Sequence, residues 1–382
     1  VTPAGGTPDG GNVPPGTPPG TPPGTPPGTP PPGDDGGTPC DGGIMCGGSC
    51  VDTTQVATHC GRCGHDCGTG KCVASVCQPV LIADQTDAGT TVTGLTTDQG
   101  DDNPKAVAGH VFWAAFGVGG GVFEDNVTGG NTVTLSTASP GAKSNVVVTT
   151  TTAYWFSQNF GAPIQPVLKG QVGTAASQTG LGTLNAQAIQ SITFDPATGN
   201  VIGSYDVNAT QHGAFKCPPG SGVTCTSLIT FTGQAGGNVA NDGTTMYFCD
   251  PDDGLIMKTT LSGSSAGTFA MGQATPNLLR FDAGNLYWSN SGTKTIQRSA
   301  NGSVVKQMAS TTNAADGLVA DAVNVYWTDH VTGTLNYAPV TGAGPNTPYV
   351  TMAATANPMR LVRDTQFLYF SHAGAIYRVA LP

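Results

Sequence analysis

The sequence predicts an all-β protein: a seven-bladed β-propeller over residues 79–382, preceded by a disulfide-rich module at 40–78 and a Pro/Gly/Thr-rich tail at 1–39. Three observations predict it. Short β-branched and aromatic runs recur about every 40–48 residues, the period of a four-stranded propeller blade. Eight of the eleven cysteines crowd into Cys40–Cys77. The first 39 residues carry no large apolar side chain beyond Val1 and Val13, too little to bury against the entropy of ordering them.

The repeat is clearest in GLVADAVNVYWTDHVTGTLNYAPV, where two apolar runs are followed by a turn and a third run. Its second strand has counterparts at HVFW (110–113), AYWF (153–156), VIGSYD (201–206), MYFCD (246–250), LYWSN (286–290) and LYFSH (368–372). Expected first strands are KAVAG, NVVVT, SITFD, GNVAN, LLRF, GLVAD and MRLVR, and KTIQR (294–298) and VVKQM (304–308) show a third and a fourth. The third copy is irregular, which leaves six blades plus an insertion as the alternative. The last copy stops at AIYRVALP, one strand short, while PVLIAD (79–84) has no blade of its own. Residues 79–84 are therefore expected to close the last blade, which leaves no unpaired edge at the join.

LYWSN and VYWTD resemble the YWTD-type propellers of the LDL-receptor class, closely over two copies and loosely over the rest. That resemblance implies that Tyr287, Trp288, Tyr326 and Trp327 pack between blades and that Asp329 ties neighbouring strands. It implies a tendency to bind proteins or glycans, and no reaction. Asn290 and His372 stand where the family has Asp, and Gly203–Tyr205 lacks the aromatic pair.

Residues 17–32 read TPPG TPPG TPPG TPPP. A four-residue period excludes collagen, and polyproline II at about 3.1 Å per residue makes the repeat a rod of roughly 50 Å. With three residues per turn, a step of four turns each Thr by about 120°. Thr17, Thr21, Thr25 and Thr29 thus point all round the rod, which suits an O-glycosylated stalk. A plain linker is the competing reading.

The cysteine spacing C-x5-C-x3-C-x9-C-x2-C-x3-C-x4-C-x4-C reads as disulfides among Cys40, Cys46, Cys50, Cys60, Cys63, Cys67, Cys72 and Cys77, with their connectivity open. Zinc is the alternative, prompted by Cys60-x-x-Cys63 with His59 and His65 nearby, but a single such pair is weak support. The run CGGSCVDTTQVATHCGRCGHDCGTGKCVASVC resembles a Cys-rich module of secreted proteins and lipoproteins of myxobacteria, which implies export and no activity. Cys217 and Cys225 are expected to bridge a loop of the third blade. Cys249 is left over, as a small buried side chain or an intermolecular disulfide.

The formal charge is -10 with 14 Lys plus Arg and no basic run, which argues against nucleic-acid binding. No apolar stretch approaches the roughly 18–20 residues that span a bilayer. Cysteine density points to an oxidising compartment, extracellular or cell-surface. The chain starts at Val1 without a basic n-region or apolar h-region, so it reads as a mature form or fragment whose export signal is gone.

No catalytic motif of the GxSxG or HExxH type occurs. Glu124, the sole glutamate, is expected in an outer strand, away from a lactonase-type metal site. His110, His212, His330 and His372 could serve a lyase, or could be turn histidines. Asp250, Asp252 and Asp253 are weak Ca²⁺ candidates against an ordinary acidic turn, and no other cofactor is implied. Asn126, Asn208 and Asn301 are N-glycosylation sequons, a weak signal.

The reading is a non-enzymatic extracellular structural or interaction protein. It is either a glycosylated cell-surface or fibre-forming component, with the rod as stalk or inter-subunit connector, or a monomeric adhesion propeller. Its partner would be itself or an extracellular protein or glycan. The alternative is an extracellular lyase or hydrolase acting on polysaccharide, recognisable by His, Asp and Arg clustered at the tunnel mouth.

Overall fold

The computed structural model describes residues 39–84, 91–97, 109–116, 120–138, 145–157, 163–232, 236–342, 346–355 and 359–382. The rod threonines Thr17, Thr21, Thr25 and Thr29 lie outside them. Seven antiparallel sheets form the blades. Their innermost strands are Thr91–Thr97, Val147–Val148, Ala188–Asp195, Gly236–Asn241, Pro276–Asp282, Gly317–Ala320 and Leu361–Arg363. Each packs beside the next, and the seventh packs beside the first. The second strands are His110–Phe116, Thr152–Phe156, Asn200–Asn208, Thr245–Asp250, Asn285–Asn290, Asn324–Asp329 and Phe367–His372.

Two expectations change. Blade 1 begins at Thr91–Thr97, whose Val92 and Leu95 are buried. Of KAVAG, only Gly109 is described, and it lies in a turn. The third copy is a complete blade of four strands, so the irregularity is not an insertion. Gly203 stands where other copies have Trp or Phe, opposite Phe215 on the third strand. A Cβ at Gly203 would lie 2.7 Å from the Phe215 ring. The aromatic that fills this interface has moved one strand outward.

The ring is closed by the N-terminal side of the propeller. Val80–Ala83 pairs antiparallel with Ala375–Ala380 as the outer strand of blade 7, with Val80 opposite Arg378 and Ala83 opposite Ile376.

Between blades, the second strands explain the packing. Successive strand residues point to opposite faces, so an aromatic pair serves two interfaces at once. Trp288 packs with Tyr247, Phe269 and Leu279 at the junction of blades 4 and 5. Its neighbour Tyr287 packs with Trp327 and Leu318 between blades 5 and 6, and Tyr326 packs with Phe370 and Leu361 between 6 and 7. Truncating one such buried Trp to Ala costs about 3–5 kcal/mol.

A second repeated device caps the turn between the first two strands. Asp242, Asp321 and Asp364 each accept the Tyr hydroxyl five residues on, at 2.8, 2.8 and 2.7 Å. The other carboxylate oxygen takes backbone N–H groups, those of Thr244 and Thr245 in the case of Asp242. Burial alone would raise the Asp242 carboxyl, but the hydroxyl and N–H of Thr244, the N–H of Thr245 and the Tyr247 hydroxyl outweigh it and hold it below its ordinary 3.8. Burial and the adjacent Asp242 push Tyr247 up.

Cys249 is fully buried, and its thiol donates to the Asn277 carbonyl at 2.7 Å. In the same slot of blade 6, Thr328 donates to the Met359 carbonyl, again reaching the next blade. Burial pushes the Cys249 thiol up, so it is a weak nucleophile as well as an inaccessible one. An intermolecular disulfide is ruled out in the folded protein. Cys249→Ser should preserve the link and change stability by under about 1 kcal/mol, whereas Cys249→Ala should cost about 1 kcal/mol or more in urea unfolding. A thiol reagent should find no free cysteine until the protein is denatured. Because Asp242 is lowered in the folded state, its stabilisation is present above 3.8 and lost as pH falls through its folded pKa. The stability gap between wild type and Asp242→Asn should therefore narrow on acidification.

Candidate functional site

An innermost strand has a bonded neighbour on one side only, so its tunnel-facing carbonyls need other donors. Arginines of blade 7 reach the innermost strand of blade 6, GLVA. Arg360 donates from Nη1 to the Asp316 carbonyl at 3.3 Å, and Arg363 donates from Nε to the Ala320 carbonyl. Arg363 continues to Asp282 of blade 5, with Nη2 3.2 Å from Oδ2. One guanidinium thus spans three blades. Burial lowers the Arg360 pKa; Asp316 opposes that effect, and Arg280 of blade 5 adds to it. Burial raises Asp282, and Arg363 is the main group that counters it. Gly317 is required for the approach: a Cβ there would lie 2.6 Å from that of Leu361.

At the end where the innermost strands begin, Asp316 holds His330. The carboxylate Oδ2 accepts the His330 backbone N–H at 2.7 Å and lies 2.8 Å from the ring Nδ1. His330 is 29% exposed, and its Nε2 has no partner among the described residues. Asp316 therefore joins His330 through its carboxylate and Arg360 through its carbonyl, which places a His, an Asp and an Arg together at this end of blades 6 and 7. An Asp-oriented imidazole with one open nitrogen can accept or donate a proton.

The other histidines do not join it. His110 lies against Glu124 at 2.7 Å in blade 1. His372 contacts the Ala353 carbonyl at 2.7 Å through Nε2. His212 is fully buried beside Phe231 and Phe248, with Nε2 3.8 Å from Asp250. Glu124 needs correction: it lies on the third strand of its blade, 1% exposed, and accepts the Gly173 N–H of blade 2. It joins two blades, with Oε2 on the Gly173 N–H of blade 2 and Oε1 facing His110 of blade 1.

Asp250 points inward, with Asp253 N–H on one oxygen and His212 facing the other, while Asp252 and Asp253 are exposed on the turn. Burial raises the Asp250 carboxyl, opposed by the Asp253 N–H and His212. The three carboxylates do not converge. Among the described residues the only group of three potential ligand atoms is Cys60, Cys67 and Cys77, whose sulfurs are in disulfides. A Ca²⁺ site at the turn is not supported.

Asp329, the strand-tying residue, accepts Asn313 Nδ2 from the inter-blade connection and the N–H groups of Val331 and Thr332. Asn208 and Asn301 are exposed, each with Oδ1 held in a local turn, and Asn126 is half-buried at a strand end.

The disulfide module pairs Cys40–Cys50, Cys46–Cys63, Cys60–Cys72 and Cys67–Cys77. The two cysteines of the Cys60-x-x-Cys63 pair go to different partners, so neither is a zinc thiolate. Cys217–Cys225 closes a loop whose Val223–Thr224 pairs parallel with the outer strand of blade 2. The module is docked on blade 7. His65 Nε2 lies 2.7 Å from the Leu381 carbonyl, and Arg378 donates to Thr69 at 2.9 Å while its guanidinium lies 4.7 Å over Phe367. Cys60, Cys67, Cys72 and Cys77 share an apolar cluster with Leu368, Phe370 and Val379.

Two features escaped the sequence reading. The Asp-x4-Tyr spacing at 242–247, 321–326 and 364–369 was visible as a repeat. Arginines on innermost strands of a chain with 14 Lys plus Arg were also a signal, but their carbonyl partners are set by blade packing. Arg363→Ala should cost about 2–4 kcal/mol at neutral pH, since it strands a half-buried carboxylate and a carbonyl. The penalty should shrink at acid pH, where Asp282 protonates, and Asp282→Asn in the same chain should recover part of it.

No family model matches the chain, and no curated protein matches it. Solved structures do. A streptogramin B lyase aligns at TM-score 0.59 and 11% identity over 80% of this chain and 98% of that one. A catalytically inactive variant of virginiamycin B lyase from Staphylococcus aureus with quinupristin aligns at 0.58 and 13%, covering 80% and 99%. The computationally designed Ika8 protein aligns at 0.52 and 10%, covering 79% and 98%. At these identities the likeness is one of fold: the chain is a β-propeller.

Proposed function

We propose that this is a non-enzymatic extracellular protein in which a disulfide collar carries the propeller on a Pro/Thr rod. The observation that supports it most is the docking of the collar. A flexible linker would give a propeller free to swing. Here the chain leaving the rod passes through four disulfides, packs on blade 7, and then becomes the outer strand of that blade. A pull on the rod would be shared by covalent cross-links and a sheet, which suits a stalk or an inter-subunit connector. The resemblance to YWTD-type propellers, the myxobacterial-type cysteine module and the all-round placement of rod threonines support a glycosylated surface or fibre component. Five disulfides among the described residues favour an oxidising compartment. No helix among them is long and apolar enough to cross a membrane.

The tunnel arginines fit this reading because their described partners are structural: they cap strand-edge carbonyls and join blades. The Asp316–His330 pair favours a second reading, a lyase or hydrolase acting on extracellular polysaccharide. Negative-stain microscopy of native material should show propellers strung along or projecting from rods. Isolated globular particles would contradict the connector role, and polysaccharide cleavage abolished in His330→Gln would establish the second reading in its place.

A further inference from the structure

We infer that blade 5 carries a binding site for a neutral oligosaccharide, at a groove of about 330 Å³ between the entry to that blade and its third and outer strands. The inference rests on the reading above, that the propeller works by interaction, and names the ligand class. The groove is lined by Gln273, Asn290, Thr293, Thr295, Gln297 and Gln307, all uncharged amides and hydroxyls.

The hydrogen bonds show which atoms are available. Trp288 Nε1 can only donate, and it donates to Gln273 Oε1 at 2.9 Å. That bond orients the Gln273 amide, so Asn290 must present its Nδ2 to the same oxygen, at 3.1 Å. Asn290 Oδ1 is left without a donor although the residue is only 5% exposed. A buried acceptor left in this state is costly unless something supplies a donor. Gln297 Nε2 is held by Thr295 at 3.0 Å and Gln307 Nε2 by Ser310 at 2.8 Å. Both amides are thus positioned with their oxygens uncommitted among the described residues.

Blade 6 is an internal comparison. It repeats the hydroxyl and amide ladder: Thr332 lies 2.8 Å from Thr334, which accepts Asn336 Nδ2 at 2.9 Å. Its floor residue is Asp329, whose carboxylate accepts Asn313 and two turn N–H groups. In blade 5 the amide that corresponds to Val331, that of Gly292, goes instead to the Ala274 carbonyl, and its neighbour Ser291 donates to the Thr275 carbonyl. The same ladder is therefore closed in blade 6 and open in blade 5.

The chemistry of the lining selects the class. Hydroxyl groups satisfy amide oxygens and Thr hydroxyls alike, and the absence of charge from the lining disfavours uronates and sulfated sugars. The exposed Val305 lines the groove, and Met271 and Val304, both over 70% exposed, are the chain neighbours of its lining residues Gly272 and Val305. They offer apolar contact for the C–H face of a pyranose, as polar-and-apolar small-molecule sites do.

The test is calorimetric titration of the full chain with cellohexaose, maltohexaose and chitohexaose, with polygalacturonate as the anionic comparison. At least one neutral hexasaccharide should bind saturably, and Gln297→Ala and Gln307→Ala should each weaken it tenfold or more. Asn336→Ala in blade 6 should leave it unchanged. Binding to none of the three, binding to polygalacturonate alone, or binding unaffected by both glutamine variants would overturn the site. Sugar binding that survives both variants would sink the site and leave the interaction reading standing. Cleavage of a bound hexasaccharide would sink that reading whether or not the site is right.

Discussion

Pairing between Val80–Ala83 and Ala375–Ala380 is the constraint on which the other features depend. A ring of seven sheets has no intrinsic start, and each blade buries its faces only if both neighbours are present. Blade 7 draws three strands from the C-terminal end and one from a segment roughly 300 residues earlier. That single junction turns a row of stacked sheets into a closed ring. It also brings the disulfide module onto blade 7, since only Gln78 and Pro79 separate Cys77 from the closing strand.

The collar uses this proximity. Arg378 pairs with Val80 in the sheet while its guanidinium reaches Thr69 and covers Phe367. Gly68, at a φ of +63°, sits where a Cβ would be 3.0 Å from the Phe367 ring. A residue with a side chain would be strained there and would push the collar off the blade. The small module has too little apolar surface for a core of its own. Its cysteines instead complete an apolar cluster begun by blades 6 and 7. Disulfides restrict the unfolded chain, and docking supplies the burial.

Much of the fold was legible because it is periodic. Aromatic pairs such as Tyr287–Trp288 and Tyr326–Trp327 recur with alternating faces, and period-two burial is readable from residues alone. Val80–Ala83 was legible by subtraction, as an apolar run left over beside a blade one strand short. Blade 1 was misread at its start because KAVAG has strand-like residues and sits where the period expects them, while Thr91–Thr97 lies farther from its partner. The third blade looked irregular because Phe215 replaces, from another strand, the ring missing at Gly203. The candidate sites were far less visible. What distinguishes Asn290 from Asp329, or makes Arg363 a bridge of three blades, is the hydrogen-bonding state of groups distant in sequence, and no local pattern encodes it.

Amide hydrogen exchange across blade 7 tests the closure most directly. If the ring is closed by the N-terminal strand, the cross-strand amides of Val80–Ala83 and Ala375–Ala380 should exchange only as slowly as those of the VYWTD strand in blade 6, through unfolding of the whole ring. Rapid exchange of Val80–Ala83 while the VYWTD strand stays protected would show that the strand is a loosely held tail, and the account of collar and propeller as one continuous unit would be wrong.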